Sequence, residues 1–457
     1  MESRRFRDEL LRLIFPCLKS AYVVGGFVRD VLLGIRKKEL DIDVVVGSWD
    51  EVDFDCLRKK LGVKPFVFEK EKTVYTFYKK GEFRVDLTLI DGETIEEDLG
   101  KRDFTVNAMA VGLGGIFLKE TVDLIDPFSG YKDLKRKVLK PVKDDSIRVD
   151  AVRILRGIRF KLTLGFNYHG SFIEQSKEFS LLLRKIPPPR LKDELFKIIS
   201  LPLFHRYLKE LDYLNAFVHV FPELEGIEKI PPSGLHQFDL KIHTFLTVKY
   251  LETFCSSIPL REKVGEDFDI LKLVALYHDV AKPVTVKEKD GYLTFYNHDK
   301  IGAEIAKNAF QRLTLGRKAS QIAWTVIRNH LRPFFLYDLY KKGNLTKKAI
   351  FNLYKDSRPY HYHVLLLSVA DYMATSDEMA RSVSSYLGFL SFLAANFERF
   401  DSIKPLLSGE DIIEIRGFSS PNPCVGRIKE KLEELQAIGK VRTKEEAIKF
   451  VKGYCCN

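Results

Sequence analysis

Hydrophobic periodicity changes character once along this chain of 457 residues, near residue 140. From Ala21 to Lys140, short β-branched runs (AYVVGG, DIDVVVG, FRVDLTLI) alternate with helical stretches, the pattern of an α+β domain. From Asp144 onward, apolar residues recur at i, i+3 and i+4, broken by turn signals at Ile186 to Pro189 and Ile230 to Gly234, so the remainder is expected to be mostly α-helical. A chain of this length exceeds one hydrophobic core, which predicts roughly two to four domains. The expected limits are 1–140, 141–230, 231–385 and 386–457, with no internal repeat and no low-complexity segment.

Several classes are disfavoured. No apolar stretch is long enough to cross a bilayer, and MESRRFRDELLRLIFPCLKS reads as an amphipathic helix rather than a secretory signal. Cys17, Cys56, Cys255, Cys424, Cys455 and Cys456 lack CxxC spacing, so reduced thiols and a cytoplasmic protein are expected. The formal net charge of +11 suits a phosphate-rich partner, although a solvated lysine-rich surface would explain it equally well.

The segment Tyr22 to Val46, YVVGGFVRDVLLGIRKKELDIDVVV, reads as strand, Gly-Gly turn, helix and second strand. Gly25 and Gly26 lie where a strand hands over to a helix, so backbone N–H groups can approach a triphosphate, with Arg29 in the first helical turn. Asp41 and Asp43 are separated by one residue, so strand alternation puts both carboxylates on one face. Asp86 shares a face of another strand with Arg84 and Thr88. Clustered acids of this kind suit two magnesium ions in phosphoryl transfer.

The ordered motifs GGxVRDxLLG and DxD resemble the nucleotidyltransferase head of bacterial CCA-adding enzymes and poly(A) polymerases. KRDFTVNAMA (101–110) is similar to that family's RRDFTxNA motif, which implies that Arg102 contacts the nucleotide. DPFSGYKDLKRKVLKPV (126–142) resembles the segment that closes the head.

In DAVRILRGIRF (150–160), a helical projection places Asp150, Arg153, Arg156 and Arg159 on one half and Val152, Ile154, Leu155 and Ile158 on the other. A carboxylate can accept from an exocyclic amino group while a guanidinium donates to ring acceptors, a pattern that adenine and cytosine both satisfy. Gly157, toward the charged side, would admit a ligand closely. DxxRxLRxxRF resembles the family's base-selecting motif, which implies that Asp150 and Arg153 select the base and that Arg156 and Arg159 help hold the nucleotide. The family's usual Glu-Asp is replaced here by Val149-Asp150.

Only Leu87 to Gly100 separate Asp86 from Lys101, where full CCA-adding relatives usually carry a longer, basic flexible loop. Its absence favours CC addition, or else the loop simply varies in length among members of equal activity. Further on, His243, His278, Asp279, His298, His330 and Asp371 form a set able to hold one or two divalent metals. Their order resembles an HD phosphohydrolase domain, which implies metal binding and leaves hydrolysis open. LLSGEDIIEIRGFSSPNPCVGRIKEKLEELQAIG (406–439) resembles the tRNA-contacting tail of relatives, with a turn altered at Gly417 to Pro423.

The expected fold is thus α+β: a polymerase beta-like nucleotidyltransferase head with a mixed sheet, then helical neck, body, HD domain and tail. The resemblance implies an enzyme that uses Mg2+ with CTP and ATP to add CMP, AMP or both to the 3′ end of tRNA. The alternatives are a poly(A) polymerase and an HD-driven metal-dependent phosphohydrolase.

Overall fold

The computed structural model describes residues 1–69, 73–418 and 422–455. The chain forms two compact units, one of residues 1–190 with 210–220 and the other of residues 191–209 with 221–457.

The first unit begins with α1 (Glu9–Ile14), β1 (Tyr22–Val24), α2 (Gly26–Leu33) and β2 (Leu40–Val46). There follow α3 (Phe54–Leu61), β3 (Phe66–Glu69), β4 (Thr73–Lys79), β5 (Phe83–Leu89) and α4 (Ile95–Leu99). β6 (Ala110–Gly112), α5 (Leu113–Leu118), β7 (Leu124–Ile125) and α6 (Gly130–Arg136) come next. The seven strands make one mixed sheet in the order β3-β4-β5-β2-β1-β6-β7, in which β2 and β5 run parallel and the other neighbours antiparallel.

Alternation along β2 explains where the chemistry lies. Ile42, Val44 and Val46 face one side and are fully buried with Val85 and Leu87 of β5. On the other side the strand begins polar, with Asp41 and Asp43, and turns apolar at Val45, which joins Val24, Ile95, Leu99, Ala108 and Ala110 in a second core. The acids therefore sit at the rim of a packed face, held by strands that side-chain burial fixes in register.

The expected N-terminal helix is broken into a 3-10 turn (Ser3–Phe6), α1 and a second 3-10 turn (Phe15–Cys17). The Asp8 side chain accepts from the Leu10 N–H and starts α1 afresh, and Pro16 ends the regular hydrogen bonding. The second turn packs on α3, and there Cys17 and Cys56 are joined in a disulfide, with Cα atoms 5.5 Å apart. Cys424 is also disulfide-bonded, whereas Cys255 and Cys455 are free and Cys456 lies outside the described residues. The expectation of reduced thiols thus fails because packing brings together cysteines that no motif spacing links. Closing a loop of 39 residues constrains the unfolded chain by about 4 kcal/mol.

β8 (Val138–Leu139) ends the head, and beyond it come α7 (Ser146–Val149), α8 (Val152–Leu164), β9 (Asn167–Tyr168), α9 (Gly170–Phe179) and α10 (Pro188–Ile199). Asp150 is not part of a continuous helix. Its backbone is extended between α7 and α8, and its Oδ1 accepts from the Val152 N–H at the head of α8. Gly157 corrects a second expectation. A Cβ placed there would lie 2.4 Å from the Phe172 ring of α9 and 3.1 Å from Phe104, so the missing side chain admits two aromatic rings, not a ligand. Gly157→Ala is expected to destabilise the protein by about 1–3 kcal/mol through overpacking, read as a shift in denaturation midpoint.

The second unit is helical apart, among the described residues, from one short hairpin (Lys287–Lys289 with Tyr292–Thr294). Helices Leu240–Thr253, His298–Arg312 and His361–Thr375 carry His243, His298 and Asp371, while His278 and Asp279 directly follow helix Phe268–Tyr277 and His330 directly follows helix Gly316–Asn329. Three terminal helices, Gly409–Arg416, Pro423–Ala437 and Lys444–Gly453, enclose a core that includes Ile412, Ile428, Leu432 and Val451. Capping boxes at Ser408 with Asp411 and at Thr443 with Glu446 set the starts of the first and third. Gly417 ends the first in the left-handed conformation, while Ser419 to Pro421 of the altered turn lie outside the described residues.

Candidate active site and metal centre

Parallel pairing of β2 and β5 places Asp43 directly beside Asp86, and Asp41 beside Arg84. The three carboxylates therefore share one side of the sheet. Thr76 donates to Asp86 at 2.7 Å, and the Arg84 guanidinium binds the same carboxylate at 2.9–3.1 Å. Asp86 is thus oriented, whereas Asp41 is exposed. Burial pushes the Asp43 carboxyl up to about 6, with Asp41 and Asp86 acting in the same direction and Arg102 opposing them. Three acids so placed make a field that favours a cation.

Gly25 closes the other side. Its φ of +71° requires glycine, and a Cβ there would lie 2.8 Å from Arg102 Nη1 and 3.0 Å from Asp43 Oδ2. Arg102 also donates to Asp98 at 3.2 Å, which keeps its guanidinium beside Asp43. Gly26 opens α2. Arg29, expected to face the nucleotide, instead lies 4% exposed. Its guanidinium donates to Asp30 and to Asn107 Oδ1 (2.6 Å) and packs over the Phe160 ring at 5.0 Å, supporting the site from within.

The charged side of α8 faces this rim. Arg156 donates to Asp103 at 2.7 Å and contributes to the electrostatics at Asp43. Arg153 donates to Ser146 Oγ and to the Lys101 carbonyl, both at 2.6 Å, and Arg159 stacks over Phe160 at 4.4 Å. Asp150 is bound by Arg190 at 2.8 Å.

Two residues that sequence reasoning passed over join these parts. Asp103 accepts from Arg156 and from Asn107, and Asn107 accepts from Arg29. The relay Arg29–Asn107–Asp103–Arg156 thereby ties α2 to α8. Both residues stand in KRDFTVNAMA, so the motif itself was the signal, but their partners are distant in the chain. Burial works against a charge on Asp103, yet Arg156, Asn107 and the Phe104 N–H bring its carboxyl down to about 2. A carboxyl lowered on folding stabilises above its unfolded value of 3.8 and loses that contribution as pH falls toward 2. Asp103→Asn should therefore cost about 2 kcal/mol at pH 7. The gap from the parent protein should narrow below pH 4 in denaturation curves taken across pH.

In the second unit, the structure brings all six expected residues together. His243 Nε2 lies 3.1 Å from His278 Nε2, 3.2 Å from Asp371 and 3.5 Å from Asp279. Asp279 Oδ1 lies 3.3 Å from His298 Nε2 and 3.7 Å from His330 Nε2. Asp279 belongs to two groups, one with His243 and His278 and the other with His298 and His330, each with ligand atoms within 4.8 Å of one another. Each Nδ1 faces a backbone carbonyl: Ala374 for His243, Ala275 for His278, Phe295 for His298 and Ile327 for His330. Donation from Nδ1 leaves the Nε2 lone pairs turned inward, the arrangement of metal-ligating imidazoles. Asp279 Oδ1, His298 Nε2 and His330 Nε2 are buried without a hydrogen-bond partner. Burial opposes charge on His278, but Asp279 and Asp371 push it up to about 10, so this pocket too favours positive charge. Sequence reading missed Lys282, which binds Asp279 Oδ2 at 2.6 Å, and His236, 3.4 Å from the Lys282 ammonium. Lys282 stands one helical turn after the His-Asp pair and could have been included on that ground.

Both units contain segments that match known families. Residues 21–140 match the family described as "Poly A polymerase head domain", and residues 240–376 match "HD domain". Residues 165–227 match "Probable RNA and SrmB- binding site of polymerase A". An A-adding tRNA nucleotidyltransferase of Deinococcus radiodurans is 29% identical over 450 residues, covering 96% of each chain. A CC-adding tRNA nucleotidyltransferase of Thermus thermophilus is 29% identical over 452 residues, covering 95% of this chain and 93% of that one. The fold is similar to that of the Thermotoga maritima CCA-adding enzyme complexed with tRNA, with a TM-score of 0.63 at 22% identity, covering 99% of this chain and 98% of that one. Residues 21–140 are thus a poly A polymerase head domain and residues 240–376 an HD domain, in a chain similar over nearly its whole length to tRNA nucleotidyltransferases.

Proposed function

We propose that the chain adds CMP, AMP or both to the 3′ end of tRNA, taking CTP and ATP as donors. The observation that carries this reading is the row of Asp41, Asp43 and Asp86 on one side of the sheet, with Arg102 beside them and the charged side of α8 facing them. Mg2+ held by the three acids would lower the pKa of the RNA 3′-hydroxyl and neutralise charge on the triphosphate. The protein's own residues do the rest. Asp86, held by Thr76 and Arg84, is the fixed member of the acid row on which the reacting hydroxyl would be placed. Gly25 lets the triphosphate approach the backbone at the start of α2, and Arg102 carries the positive charge that meets departing pyrophosphate. Asp150 accepts from the exocyclic amino group of cytosine or adenine and Arg153 donates to the ring, with Arg156 and Arg159 holding the nucleotide.

The product is read from the short connection after Asp86. Asp98 accepts from the Asp91 N–H and from Arg102, and Lys101 binds Asp91 at 2.6 Å, so the segment is tied to the site. Such a segment favours one kind of nucleotide over a switch between two, in keeping with relatives named for A addition and for CC addition. CC addition is the product we assign, in the cytoplasm. The test is incubation of tRNA ending at its discriminator base with CTP, with ATP and with both, followed by sequencing of the added ends. Two C residues and no A support the assignment; completed CCA, addition of A without C, or long homopolymers overturn it.

A second activity is favoured by the shared Asp279. Divalent metal held by His243, His278, Asp279, His298, His330 and Asp371 would polarise a phosphate ester and activate water, the chemistry of a phosphohydrolase centre. Hydrolysis of p-nitrophenyl phosphate that appears with added divalent metal and vanishes in His330→Gln supports it. Absence of turnover with every divalent metal tried overturns it.

A further inference from the structure

We infer that Arg190 is a positioning residue for base selection, holding the Asp150 carboxylate in the geometry that reads the incoming base; this rests on the assignment of Asp150 as the base-contacting acid. Asp150 needs such help. Its backbone is extended between two helices, where the N–H donates to the Ser146 carbonyl at 3.3 Å and the carbonyl accepts from Arg153 at 3.1 Å, but these bonds leave the carboxylate free to turn, and the 69% exposed Val149 side chain beside it offers no hydrogen bond. Both carboxylate oxygens are nevertheless engaged, Oδ1 by the Val152 N–H at 3.3 Å and Oδ2 by Arg190 Nη2 at 2.8 Å. The backbone contact orients one edge and the guanidinium the other, which leaves the remaining lone pairs in a fixed direction. Arg153 feels the charge of the same carboxylate, while Ser146 and the Lys101 carbonyl hold its guanidinium in place.

The way Arg190 is presented supports this role. It follows Pro187, Pro188 and Pro189, whose locked φ angles stiffen the approach to α10, and the Arg190 N–H donates to the Pro187 carbonyl at 3.0 Å. A cation in the first turn of a helix is disfavoured by the helix dipole. Partnership with Asp150 offsets that cost, and it bridges 40 residues of chain to reach the point where the base is read.

Cytosine presents an amino group where uracil presents a carbonyl, so a carboxylate fixed in place should accept CTP and repel UTP. The experiment measures kcat/KM for CTP and UTP on the same tRNA in the full-length parent, Asp150→Ala, Arg190→Gln and Arg190→Lys proteins, with thermal melting of each. Arg190→Gln is expected to reduce the preference for CTP about tenfold or more, mainly through a raised KM for CTP, and Arg190→Lys to recover part of it. If Asp150→Ala abolishes the preference while Arg190→Gln keeps it, or lowers both nucleotides equally, the positioning role is overturned and the base reading stands. If Asp150→Ala keeps the preference, the base reading itself fails and the role of Arg190 with it. Should Arg190→Gln not fold, a selectivity in Arg190→Lys equal to that of the parent overturns the inference.

Discussion

Replacing Asp43 by Ala is expected to abolish nucleotide addition, lowering kcat by about a thousandfold or more, because metal-assisted charge stabilisation in phosphoryl transfer is worth several kcal/mol. Asp41→Ala should behave alike. Both lie in the head, so hydrolysis at the HD cluster should persist within about twofold, a difference that separates loss of chemistry from loss of folding. The structure adds a second readout. Burial and the neighbouring acids disfavour a charged Asp43, so Asp43→Asn relieves an unfavourable ionisation and should leave the melting temperature equal or raised. Primer extension on tRNA, calorimetry and a phosphatase assay on the same preparations test all three statements. A variant that retains a tenth of the parent's addition would remove Asp43 from the reaction.

Stripping divalent metal should have the second large effect, on stability as well as on addition. The inward Nε2 atoms and the shared Asp279 come together only in the folded state, so metal bound there would shift the folding equilibrium. At a free concentration a hundred times the dissociation constant, this amounts to about 2.7 kcal/mol, or roughly 5–10 °C in melting temperature for a unit of this size. Dialysis against EDTA should lower the melting temperature of the parent and of Asp41→Ala alike. Asp279→Asn and His330→Gln should melt at one temperature with or without chelator. Equal melting of the parent before and after EDTA would show that the cluster holds no metal.

What could be read in advance was whatever depends on local geometry. Strand alternation is strict, so Asp41 and Asp43 had to share a face, and the HD residues could be grouped because their types and order leave little else for buried imidazoles to do. The misplaced features are those created by distant partners. Asp150 fits a helical projection, but the chain turns between α7 and α8 and its carboxylate caps the second helix. Gly157 reads as a ligand notch until Phe172 arrives from α9. Arg29 reads as a phosphate contact until Asn107 and Phe160 enclose it. Cys17 and Cys56 meet only because the Phe15–Cys17 turn packs on α3.

The chain of bonds from Arg29 through Asn107 and Asp103 to Arg156 also bears on how specificity can be changed. Its four members come from three separate stretches of sequence, and α8 supplies only one of them. Grafting α8 alone from a relative with another nucleotide preference would therefore bring new reading residues on a loosened mount. A transplant that carries residues 29, 103 and 107 with the helix keeps reader and scaffold matched, and specificity here is inherited as a block rather than as a single helix.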